Sequence, residues 1–145
     1  MAAKPKARSS SPRPLALTAQ QYYLIQFSYT SAAWNAMLAT ADYRDRVEAV
    51  RRLVINLGGC IAKITFECDL DPQPKEKFGS FGDHDVMLLV AFPNDQAAAT
   101  FAITIAAGGA VTNFRTTRIL PWTQMMAAMG AASGHRTAYS PPGKG

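Results

Sequence analysis

The residues best suited to chemistry stand together just before an apolar run: Gly82, Asp83, His84 and Asp85, followed by Val86. A histidine titrates near neutral pH, so His84 could act as a general acid or base, or ligate a metal or haem iron. On an extended chain, neighbouring side chains point to opposite faces. His84 would then stand on one face and Asp83 and Asp85 on the other, and a His84–Asp85 dyad would require a bulge. The structural alternative is a turn at Gly82-Asp83, with Asp85 hydrogen-bonding backbone where the strand begins.

Three further sets carry functional groups. Glu67, Asp69 and Asp71 share one parity and could form an acidic rim with Asp83, which a hard cation would favour. No calcium-loop spacing is present and Lys75 and Lys77 follow closely, so a solvated hairpin tip is the better reading. The only other histidine, His135, falls near the C-terminus outside the patterned body, which leaves no metal site to expect. Arg115 shares a face with Asn113 and Thr117, while Arg118 shares the other with Phe114 and Thr116. Either arginine could clamp a carboxylate or phosphate, or simply form a salt bridge. Tyr29 ends a run (Tyr22, Tyr23, Gln26, Ser28) rich in hydroxyl and amide groups. Phosphate-binding glycine loops, a dinucleotide fingerprint, G-x-S-x-G and H-E-x-x-H are all missing. No cofactor is expected.

These groups need a scaffold, and the periodicity supplies one. Tyr22 to Tyr29 alternates as a strand. Thr30 or Ser31 can cap a helical stretch carrying Trp34, Met37 and Leu38. A second helix, starting near Asp42, sets Val47, Val50, Leu53, Val54 and Leu57 on one face and stops at Gly58-Gly59. Cys60 to Asp69 reads as a second strand, with Ala62, Ile64 and Phe66 toward the helices and Thr65 and Glu67 on the open side. Lys75 to Phe81 reads as loop. The third strand, His84 to Phe92, is apolar on both faces and therefore central. Pro93-Asn94-Asp95 caps an alanine-rich helix that stops at Gly108-Gly109. Ala110 to Leu120 is the fourth strand, and Pro121 opens a short last helix with Trp122, Met125, Met126 and Met129. The methionine spacing suits packing better than a haem box.

The order β-α-β, β-α-β predicts an α+β, ferredoxin-like βαββαβ sandwich: a four-stranded antiparallel sheet with helices on one face. The domain is expected over 21–131, between basic disordered tails at 1–20 and 132–145. A bare sheet face backed by a doubly apolar strand must find cover, most simply a second copy. A pocket between two such sheets would be the natural place for a small molecule.

The chain has 145 residues and a formal net charge of +5. Lys4, Lys6, Arg8, Arg13, Arg136 and Lys144 lie in the tails without any acid, leaving nine basic against ten acidic residues in 21–130. A nucleic-acid-binding domain carries its basic stripe on the folded surface, so this distribution argues against such a partner. No membrane span or secretory signal is evident, and the cytoplasm is the default location. Cys60 and Cys68, in one strand, would lie about 26 Å apart, too far to bond, and read as buried thiols.

Several ordered motifs resemble the GYD-domain family: Tyr23-Leu24-Ile25 leading to Trp34; Arg46-Val47-Glu48-Ala49-Val50-Arg51 running into Leu57-Gly58-Gly59; Gly82-x-His84-Asp85-Val86; Pro93-Asn94-Asp95-Gln96-Ala97-Ala98-Ala99; and Arg115-Thr116-Thr117. Gly82 and Asp85 occupy the family's namesake glycine and aspartate positions, whereas His84 replaces its tyrosine. The 69–81 segment is also longer than the family's usual hairpin. The resemblance covers about residues 22–130. It implies a ferredoxin-like fold and self-association, in a build similar to dimeric α/β-barrel proteins. Those include cofactor-free monooxygenases, haem-handling proteins and stress proteins. The leading expectation is a non-enzymatic, self-associating protein that binds a small ligand on the open sheet face. The alternatives are a cofactor-free enzyme with His84 as acid/base, oriented by Arg115 or Tyr29, and haem or metal handling through His84.

Overall fold

The computed structural model describes residues 20–41, 45–62, 77–80 and 82–143. In chain order the elements are β1 (Gln21–Tyr29), α1 (Ser31–Thr40), α2 (Asp45–Asn56), β2 (Cys60–Ile61), β3 (Lys77–Gly79), β4 (Val86–Phe92), α3 (Asp95–Ala107), β5 (Val111–Ile119) and α4 (Trp122–Gly134). The sheet runs β2-β4-β1-β5, all antiparallel, with β3 also paired to β4. This is the expected ferredoxin-like order, with β4 and β1 at its centre.

The side chains divide as strand alternation requires. Tyr23, Ile25 and Phe27 of β1 and Val86, Leu88, Val90 and Phe92 of β4 face the helices. There they meet Val50, Leu53 and Val54 of α2, Leu57 just past its end, and Ala98, Phe101 and Ile105 of α3. Phe27 stacks on Phe114, and Phe92 packs against both Tyr23 and Phe101. On the reverse face Tyr22, Cys60, Ala62, Leu89 and Ala91 form a second buried cluster, flanked by Ile119. The β4 strand is thus buried on both faces within a single chain.

Local signals set the boundaries. Thr30 caps α1 by accepting a hydrogen bond from the Ala33 amide at 3.1 Å, and Asn94 caps α3 through the Ala97 amide at 2.9 Å. Glu48 binds both Arg51 and Arg52 along the solvent side of α2. Gly58 ends α2 at φ 79°, and the Gly59 amide returns to the Val54 carbonyl at 2.9 Å. No helix among the described residues is long and apolar enough to cross a membrane.

Three sequence expectations need correction. Lys77–Gly79 is a strand, not a loop: Ala62 donates to the Leu89 carbonyl, and Lys77 then pairs with Leu88, so β3 resumes the β2 edge ladder without a gap. The faces of β2 are reversed, because Ile61 pairs with Val90 and so shares the helix side, which puts Cys60 and Ala62 on the reverse. Cys60 is disulfide-bonded rather than a buried thiol. The expected separation came from placing Cys60 and Cys68 in one strand, and Cys68 lies outside the described residues.

The crossing at Gly59 is tight. A Cβ there would sit 2.8 Å from Phe92 Cδ1 and closer still to the Ala91 carbonyl oxygen. Gly109, at φ 73°, has open space around it. Gly59→Ala should therefore cost about 2–3 kcal/mol through overpacking, and Gly109→Ala only about 1 kcal/mol through backbone strain. Urea unfolding midpoints of the two variants check this ordering.

Candidate functional site

The structure places chemistry-bearing groups at both ends of the central strand pair. At one end, β1 finishes as β4 begins. The Asp85 amide donates to the Phe27 carbonyl at 3.0 Å, and the Ser80 amide donates to the Asp85 carbonyl at 2.9 Å. The Asp85 carboxylate accepts from the Tyr29 amide at 2.9 Å and from Trp34 Nε1 at 3.3 Å. It therefore joins the end of β1 to α1, matching the structural alternative for this residue. Tyr29 packs edge-on against Phe27 and Trp34. Burial pushes its phenol pKa up and the Asp85 charge adds to this, while Arg46 opposes it.

Gly82 lies exposed in the bend, its amide donating to Ser80 Oγ at 3.2 Å. The Asp83 carbonyl accepts from Asn113 Nδ2 at 3.0 Å. Asn113 adopts φ 51° where the β1–β5 register shifts between Gln26 and Ser28, a bulge that ties this rim to β5. His84 is buried at 8% exposure, and its Nε2 has no hydrogen-bond partner among the described residues. Arg115 is exposed on the reverse face opposite Gln26, whose amide contacts Met87 Sδ. The fold thus joins Asp85 to Tyr29 and sets Gly82 and His84 beside them in the chain, while Arg115 belongs to the reverse sheet face. Glu67 lies outside the described residues, as do Asp69 and Asp71 of its acidic rim. No group of three or more His, Cys, Asp or Glu residues that could hold a metal is present among the described residues.

The opposite end holds an arrangement the sequence reading missed. The Tyr23 hydroxyl donates to Asp95 Oδ1 in a short hydrogen bond. With the phenol proton committed to Asp95, the Gln21 amide must turn its nitrogen toward both. It then donates to Asp95 Oδ1 at 3.0 Å and to the Tyr23 oxygen at 2.8 Å, and its carbonyl accepts from the Arg118 guanidinium at 3.3 Å. Sequence spacing hides this cluster, since Tyr23 and Asp95 stand 72 positions apart. The signal was the antiparallel register: Gln21 opposes Phe92, so the first turn of α3 comes back over the start of β1. Next to it is an open cleft of about 220 Å³, lined by residues 20–22, 118–120 and Gln124.

Burial pushes the Tyr23 phenol up to about 12, and the hydrogen bond and negative charge of Asp95 add to the rise, against a smaller opposing effect of Arg118. A folded-state value above the ordinary 10.0 means that the unfolded chain releases this proton first. The contribution of Tyr23 to stability is complete below pH 10 and lost as pH rises toward about 12. Tyr23→Phe should flatten the alkaline limb of the stability profile across that window and remove the latest component of the phenolate titration. Stability measured against pH for both proteins checks it.

No curated protein and no solved structure matches the chain. The family model of the GYD domain matches residues 23–129, which runs from the Tyr23 cluster through the Asp85 rim into α4. The chain is therefore a member of the GYD-domain family.

Proposed function

We propose that this GYD-domain protein is a self-associating protein, pairing with a second copy of itself, and that it holds a small ligand against the reverse face of the sheet. The observation that carries the pairing is α4. This helix has no charged side chain and no buried residue, and it exposes Trp122, Met125, Met126 and Met129. An isolated helix of this length is marginal in water and owes its stability to packing. The apolar residues of β4 need no outside partner, because they are already covered within the chain. The surface in search of cover is α4, at the end of β5, which pairs on one side only. Two-fold pairing of identical surfaces is the commonest way such a face is covered. The ligand surface beside it comprises Leu24, Gln26, Met87, Arg115 and Thr117, half-buried or exposed, with Arg115 as its cation.

Size-exclusion chromatography with light scattering should give twice the chain mass at micromolar concentration. Met126→Lys should weaken association by about 2 kcal/mol or more and yield the monomer without loss of the folded spectrum. A wild-type monomer at that concentration would contradict the reading.

A second reading, acid/base catalysis at His84 without a cofactor, is favoured by the unpartnered, buried Nε2. Buried polar groups kept for stability are hydrogen-bonded, and an orphan is costly. His84→Phe should then raise stability by about 1 kcal/mol by removing that cost. A loss of similar size in a chemical denaturation would make the imidazole a structural group and remove the reading.

A further inference from the structure

We propose that the cleft at the foot of α4 is a binding site for a small carboxylate bearing a hydroxyl or amino donor on the neighbouring carbon. It lies at the opposite end of β1 from His84 and Asp85, and it is separate from the ligand surface around Arg115. Its polar wall is unusual in composition: Gln20, Gln21, Gln124 and Arg118 line it, with Tyr22, Ile119 and Leu120 completing it, and no acidic residue takes part.

Arg118 makes no ion pair with a carboxylate among the described residues; one guanidinium nitrogen is held at 3.3 Å by the Gln21 carbonyl. That bond fixes the group without neutralising it, so the cation faces a cleft walled by amides. Planar, fork-like guanidinium donors match a carboxylate in geometry, and the Gln124 amide can add a donor from the first turn of α4. Gln20 supplies the complementary feature. It is only 7% exposed, lines the same cleft, and its Oε1 has no hydrogen-bond partner among the described residues. The terminal torsion of a glutamine is soft, so a small rotation presents this acceptor to a ligand O–H or N–H. An anion-binding wall and an unsatisfied acceptor together select a molecule with a negative end and an adjacent donor. The volume of 220 Å³ has room for about seven water-sized groups, which suits a short hydroxy or amino acid. All lining residues belong to one chain, and of them only Gln124 lies on α4.

The test is a titration of the ¹⁵N-labelled full chain with L-lactate, acetate and inorganic phosphate in parallel. Lactate is expected to shift the amides of 20–22, 118–120 and Gln124 with an affinity of about 1–10 mM, and acetate to bind several-fold more weakly for want of the donor. Arg118→Gln should weaken lactate binding at least about tenfold. Gln124→Ala, on an exposed helix position that the fold does not need, should weaken it about threefold. Gln20→Leu should abolish the preference for lactate over acetate. The proposal is overturned if lactate leaves these amides unmoved at about 50 mM, if Gln124→Ala and Arg118→Gln bind as the wild type does, or if phosphate binds as tightly as lactate.

Discussion

The β4 strand is apolar on both sides, and the fold covers both, leaving only Met87 half-buried. Leu88, Val90 and Phe92 go under α2 and α3, and Leu89 and Ala91 meet Tyr22, Cys60 and Ala62 on the reverse. Burial of whole aliphatic and aromatic side chains contributes about 1.5–3 kcal/mol each, more than any single polar contact in the molecule. Its demands explain the neighbouring features. Gly59 lacks a side chain because α2 must turn into β2 directly against Ala91 and Phe92. The broken edge of β2 and β3 keeps one continuous ladder along β4 because an unpaired β4 edge would expose its backbone.

With the centre filled, polar groups are pushed to the ends of the β1–β4 pair. At one end Asp85 spends its carboxylate on the Tyr29 amide and Trp34, locking α1 to the sheet. At the other end Asp95 accepts the hydrogen bond of the Tyr23 hydroxyl, with Gln21 and Arg118 beside it. The two ends differ in what they leave over. Beside Asp85 it is an imidazole nitrogen without a partner; beside Tyr23 it is an arginine and a glutamine acceptor along a cleft. Leftover hydrogen-bonding capacity in a folded protein is where ligands gain purchase.

The architecture was largely legible in the sequence because it is written in periodicity. The alternation through Tyr22–Tyr29, the double apolarity of Val86–Phe92, the caps at Thr30 and Asn94, and the paired glycines after each long helix all specify local structure. The errors came where tertiary context decides. Lys77–Gly79 reads as loop by composition, yet it pairs with β4 where Ala62 leaves off, which no local pattern announces. The Tyr23–Asp95 bond was hidden because it needs the register of β1 against β4. The Asp85 carboxylate meets Tyr29 and Trp34, 56 and 51 positions away in the chain, contacts that only the fold makes.

The sheet centre is covered within one chain, and under the proposed self-association α4 is covered by a second copy. Hydrogen exchange followed at concentrations above and below the association midpoint tests this division directly. Amides of β1 and β4 should stay protected at both concentrations, while those of α4 should be protected only when copies associate. Equal protection of α4 at every dilution, or loss of β4 protection in the dilute protein, would contradict it.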